Sequence, residues 1–138
     1  MPEAIRTIDA NAILRYLLQD MPDHAERARR LIDSEEPLAL TVIALAEVAW
    51  TLSGPRYQFE RGTVARHLID LLARENIVTI GFDKAEAQAA LMTCLPATGA
   101  AHFGDALIAA CAGSAGLQEI YSFDRRFARA GLTPIAPP

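Results

Sequence analysis

The stretch that decides the fold is "EAIRTIDANAILRYLLQ", residues 3–19. Residues 3–8 have strand-like composition and end at an acid, Asp9. The next residues, "NAILRYLLQ", place Ile13, Leu14, Leu17 and Leu18 on one face of a helix. A strand that runs straight into a helix is half of a parallel strand–helix–strand unit, and the rest of the chain repeats the alternation.

Beyond the punctuation Met21-Pro22-Asp23, "DHAERARRLIDS" (23–34) reads as a second, more exposed helix. Pro37 precedes a short strand, "LAL" (38–40), and Thr41 is placed to cap an apolar helix that Ser53-Gly54-Pro55 breaks. "ERGTVARHLIDLLAREN" (60–76) is amphipathic, with Val64, Leu68, Leu71 and Leu72 inward. "IVTI" (77–80) is a strand, and Asp83 is expected to cap "KAEAQAALMTCL" (84–95). A loop, "PATGAAH", leads to a helix around Asp105. "EIYSF" (119–123) is a strand ending at Asp124, "RRFARAG" a short helix stopped by Gly131, and "TPIA" a last edge strand. Such alternation predicts an α/β chain whose helices cover both faces of a mostly parallel sheet. No repeat, low-complexity tract or linker divides residues 1–138, so a single domain is expected.

Half of the residues, 51%, are apolar, as a globular chain with a real core requires. The longest apolar run, 37–52, is interrupted by Glu47 and is too short to cross a membrane. No basic segment followed by an apolar one opens the chain, so no secretory signal is expected. Cys94 and Cys111 lie in apolar helical segments and read as buried free thiols of a reducing cytoplasm. The net charge of −4 argues against holding nucleic acid by bulk electrostatics alone. Twelve of the thirteen basic residues are Arg, the side chain suited to bidentate phosphate recognition, although an Arg-rich composition explains any one of them equally well.

Four acids stand apart. In open α/β sheets ligands bind outside the carboxyl ends of the strands, where Asp9 and Asp124 each follow an apolar strand. Each has a second reading, because Asp directly before a helix is a favoured N-cap. Asn11 is a polar neighbour of Asp9. Asp105 lies in "AAHFGDALIAACAG" (100–113), where Phe103, Leu107 and Cys111 keep i, i+4 spacing across it, so the helix is expected to run through it. Around it Ala101, Ala109 and Ala112 form a small-residue stripe. Glu47 is the one charge in "TVIALAEVAWTL" (41–52), a helix apolar nearly all round, which predicts burial. A buried Glu with no basic residue within a turn must be protonated, paired at long range, or bound to a cation.

Convergence of the four in one pocket explains them together. Clustered carboxylates raise one another's pKa unless a cation neutralises them. All-oxygen donors favour Mg²⁺ or Mn²⁺ over zinc, and His24, His67 and His102 show no zinc-ligand spacing. Such a site supports phosphodiester hydrolysis.

In order and spacing, "TIDANAILRYLL", "TVIALAEVAWTL", "HFGDALIAACA" and "YSFDRRF" resemble the blocks of PIN-domain ribonucleases, most closely VapC-type toxins of bacterial toxin–antitoxin pairs. The likeness runs from Ile8 to about Pro134. It implies a three-layer α/β/α fold around a mostly parallel sheet of four to five strands. It also implies a Mg²⁺-dependent endoribonuclease (Mn²⁺ as an alternative ion), a homodimer, and silencing by a cognate antitoxin protein. Asp9 and Asp105 match the positions that most directly hold the metal, Glu47 the helix acid, and Asp124 the most variable acid. Asn11 and Ser122 match supporting polar positions. Many relatives carry a further acid about three residues before the Asp105 position, where this chain has His102. Two other classes compete: a phosphoacceptor signalling domain, which lacks its acidic pair and late strand-end Lys here, and an inactive PIN fold that only binds.

Overall fold

In the computed structural model, which describes residues 4–138, the alternation read from the sequence becomes twelve short elements. Strand β1 is only Arg6–Thr7, with Ile8 adding one more bond, its N–H to Ala39 O at 3.0 Å. Glu3, the first residue of the expected strand, lies outside the described residues. Asp9 then turns the chain into α1 (Ala10–Leu18), which ends at Gln19 in the left-handed region, φ 52°. Pro22 opens α2 (Pro22–Ile32), a position where its missing N–H costs nothing.

Strand β2 (Leu38–Thr41) runs without a loop into α3 (Val42–Ser53), because Thr41 Oγ1 accepts the Ala44 N–H at 3.2 Å and closes the first turn. Helix α4 (Arg61–Leu72), strand β3 (Ile77–Ile80) and α5 (Lys84–Met92) follow. Asp83 stands at the start of α5 but makes no side-chain cap. Its own N–H donates to Ser114 Oγ at 2.7 Å, on the next helix, α6 (Phe103–Ser114). The chain finishes with β4 (Glu119–Tyr121), a 3-10 helix (Arg125–Ala130) and β5 (Thr133–Ile135).

All strand pairs are parallel, as the alternation requires, but the five strands do not form one ladder. β1, β2 and β3 pair in that order, with Arg6 opposite Leu38 and Leu40 opposite Thr79, while β4 pairs only with β5, Glu119 opposite Thr133. The α/β class holds, and the expected sheet of four to five strands is realised as three strands plus two.

One apolar cluster underlies both faces: Ile13 and Leu14 from α1, Leu38 and Leu40 from β2, Leu45, Val48 and Leu52 from α3, Val64, Leu68, Leu71 and Leu72 from α4, and Leu91 and Leu107 from α5 and α6. Each such side chain contributes about 1.5–3 kcal/mol by burial. The inner face read for α4 is fully buried; on α1, Leu17 and Leu18 are only half-buried. Among the described residues no polar or charged side chain is buried, so every acid stands at the surface.

The amino edge of the sheet is tied by polar bonds. Asn76 Nδ2 donates to the carbonyls of Ile32 and Glu36, both at 3.1 Å, and Leu38 N–H donates to Asn76 O at 2.8 Å. Arg74 reaches Ile32 O at 3.2 Å and Asp33 Oδ1 at 2.6 Å. The opposite, carboxyl edge carries no such clamp from these residues, and Asp9 stands there.

Candidate active site

Parallel register brings the carboxyl ends of β1 and β2 to one edge, where Asp9 and Thr41 start their helices. Asp9 is an N-cap: its Oδ1 accepts the Ala12 N–H at 2.9 Å. The cap reading and the chemical one coexist, because among the described residues no protein donor reaches the second oxygen. Asn11 is exposed beside it. Both line a cleft of about 350 Å³ between α1 and α2.

Asp105 is not a cap. α6 begins at Phe103 after His102, so Asp105 sits in the first helical turn, as the i, i+4 spacing across it predicts. There the unsatisfied N–H groups and the helix dipole favour a carboxylate. Asp105 is half-buried, Ala101 and Ala109 beside it are buried, and it accepts no hydrogen bond from the described residues. Its charge is felt by Arg126, whose guanidinium it helps to keep protonated, and by Cys94.

The strand expected over 119–123 closes at Tyr121, and Asp124, three residues further on, caps the 3-10 helix, its Oδ1 accepting the Arg126 N–H at 2.9 Å. The Arg126 guanidinium grips the same carboxylate through Nε and Nη2, at 3.0 and 2.9 Å. These bonds from Arg126, with a smaller contribution from His102, hold the Asp124 carboxyl down at about 2. Ser122 fixes this turn: its Oγ accepts the Asp124 N–H at 2.9 Å while its own N–H donates to Ile135 O at 3.0 Å. Arg126 therefore answers Asp124 directly and feels the Asp105 charge only through space. Arg126 escaped the sequence reading, and the signal for it was only an Arg two residues after a strand-end Asp.

Glu47 departs from expectation. It is exposed, on a face of α3 whose apolar neighbours Ile43 and Trp50 are themselves 67% and 60% exposed. The core takes the other face, Ala44, Leu45, Val48, Ala49 and Leu52. An apolar composition all round the helix implied burial all round; the structure leaves one apolar face in water instead. Burial therefore gives no reason for Glu47 to seek a cation.

Among the described residues no three His, Cys, Asp or Glu side chains stand close enough to hold a metal ion. Arg126 pairs with Asp124 alone, and no three of the four acids stand together. Mutual repulsion was expected to raise these carboxyls; Asp124 is lowered, because a guanidinium serves as the counter-charge. In kind, the donors still fit a hard divalent ion, since Asp9 Oδ2, Asp105 and Glu47 are oxygen ligands that form no salt bridge among the described residues.

Residues 7–132 match the family model of the PIN domain. The chain belongs to the PIN domain family. No curated protein and no solved structure matches it. PIN domains are in general nucleases, hydrolases acting on nucleic acids, and they typically use divalent metal ions. The parallel strands and the acid after β1 are the features that the four blocks of sequence implied. Of the described helices, none is long and apolar enough to cross a membrane.

Proposed function

We propose that this PIN domain is a Mg²⁺-dependent endoribonuclease of the VapC type, the cytoplasmic toxin of a toxin–antitoxin pair, with Mn²⁺ as an alternative ion. The observation that carries the reading is Asp105: a carboxylate in the first turn of α6, flanked by buried alanines, with no protein donor, on a chain of a nuclease family. Asp9 and Asp105 would hold the ion, with Glu47 and Asp124 completing the acidic set. When bound, the ion supplies an activated water and offsets charge developing on the phosphoryl oxygens.

The chain's own residues do the positioning. The Asp9 cap fixes the carboxylate plane and leaves Oδ2 directed by that bond. Ser122 and Arg126 fix Asp124 after β4. Asn11, beside Asp9, offers a neutral amide to a bound strand. The exposed apolar face of α3, Ile43 and Trp50, supports a partner surface, either the antitoxin or a second copy in a homodimer.

The test is cleavage. Purified protein should cut cellular RNA with Mg²⁺ or Mn²⁺ and stop with EDTA; Asp105→Asn and Asp9→Asn should lose at least about a hundredfold in rate, on the scale of removing one transition-state contact. Expressed alone, the wild type should arrest growth and the folded Asn variants should not. Cutting that survives chelation, or Asn variants as toxic as wild type, would overturn the reading.

A further inference from the structure

The cleft between α1 and α2 is built from two facing helix stripes. α1 contributes Asn11, Ala12 and Arg15, and α2 contributes His24, Arg27, Ala28 and Leu31, spaced i, i+3, i+4, i+7 along one face. Its volume of about 350 Å³ is in the range that takes a small organic group. Ala12 and Ala28, with only methyl side chains, leave room between the walls, and Leu31 adds apolar surface. Asp9 stands in the same lining.

Two guanidiniums, Arg15 and Arg27, and one carboxylate, Asp9, line the cleft, and the Arg15 charge is already answered by Asp20. Arg29 and Arg30, next along α2, are both tied to Glu26 at 2.8 and 3.1 Å. Arg27 has no acid within salt-bridge reach among the described residues. Arg15 is held in place: its side chain is 12% exposed, Nη1 bonds Asp20 at 2.8 Å, and its buried Nε has no hydrogen-bond partner.

We propose that this cleft is the subsite for one nucleotide of a single-stranded RNA, adjoining the scissile phosphate at Asp9. The inference rests on the nuclease reading and deepens it. Arg27 takes a phosphate oxygen in a charge-assisted bond, with His24 beside it. One face of the base lies on Ala12, Ala28 and Leu31, and Asn11 hydrogen-bonds the ribose or base. Only an unpaired base can enter such a cleft, because in a duplex its faces are stacked and its edge paired. An acidic protein segment would also answer the Arg charge, but it makes no use of the apolar walls and sets a further carboxylate beside Asp9.

The test uses the full chain carrying Asp105→Asn, with binding of a short fluorescein-labelled single-stranded RNA of mixed sequence read by anisotropy at several salt concentrations. Arg27→Ala in that background should weaken binding by about tenfold and flatten the log Kd against log salt slope by about 0.7, one phosphate contact. His24→Ala should weaken it less, and Arg66→Ala, an exposed Arg on α4, should bind as its parent does. Arg27 and His24 are exposed, so unchanged melting temperatures check that the variants are folded. Equal affinity and slope for Arg27→Ala and its parent overturn the proposal, as does oligoglutamate that displaces the RNA at lower concentration than unlabelled RNA. Cleavage by the otherwise wild-type chain is read separately. If Arg27→Ala lowers binding although the wild type cuts no RNA, the subsite stands and the nuclease reading falls; if cutting is metal-dependent and indifferent to Arg27, the reverse holds.

Discussion

Asp124 and Cys94 show how local surroundings set the chemistry of a side chain. The Asp124 carboxyl is held at about 2, below its unfolded value near 4, by Arg126. A depressed carboxyl means that the unfolded state binds the proton more readily, so this contribution is full above about pH 4 and is lost as pH falls through about 2. Melting curves of wild type and Arg126→Ala, in metal-free buffer, should therefore differ most above about pH 4 and converge at the acid end. Because the pair is exposed, the gap should also shrink in high salt. Cys94 moves the other way: burial pushes its thiol up to about 11, against a smaller opposing effect of a bond with Thr93. Cys111 is half-exposed, a departure from the expectation that both thiols are buried. At neutral pH iodoacetamide should label Cys111 in the native protein and reach Cys94 only after unfolding, as peptide mass mapping would show. Labelling of Cys94 at the native rate of Cys111 would contradict the packing around it.

At the scale of elements, short strands depend on what closes their ends. β1 has two residues and β2 four, so the hold of Asn76 on Ile32 O and Glu36 O does work that a longer ladder would otherwise do. Asn76→Ala removes both bonds, leaving Glu36 O without its partner and Ile32 O with Arg74 Nε alone. The expected cost is about 2 kcal/mol, read as a drop of several degrees in Tm. Thr41→Ala removes the cap of α3 and should cost about 1 kcal/mol by urea denaturation, with the m-value unchanged. Most elements were legible because each has a local cause: the caps at Asp9 and Thr41, Pro22 at a helix start, the inward stripe of α4. Where the cause was not local, the reading went astray. Asp83 was expected to cap α5, yet its carboxylate caps nothing and its own N–H donates to Ser114 Oγ, distant in sequence. Glu47 was expected inside, yet which face of an apolar helix meets the core depends on what packs beside it.

For the whole molecule, metal binding at the carboxyl edge should show as a gain in stability. Mg²⁺ at a hundredfold excess over Kd should stabilise the wild type by roughly 2.7 kcal/mol and Asp105→Asn much less, followed by thermal melting with and without EDTA. An equal shift in both proteins would make Asp105 a structural acid. The sequence by itself determined the α/β class, the parallel sense of the strands, the order of strands and helices, and the acids that follow β1 and β4. These follow from periodicity, composition and chain order, which act within a few residues or along the chain. Only the tertiary structure decided that the strands pair as three and two, that α3 shows Ile43, Glu47 and Trp50 to solvent, that Arg126 rather than a fellow carboxylate answers Asp124, and that α1 and α2 enclose a cleft lined by Asp9, Arg15 and Arg27. Those outcomes turn on which surfaces meet across the fold. Burial and charge pairing are properties of neighbours in space, and a side chain's sequence neighbours fix only a fraction of them.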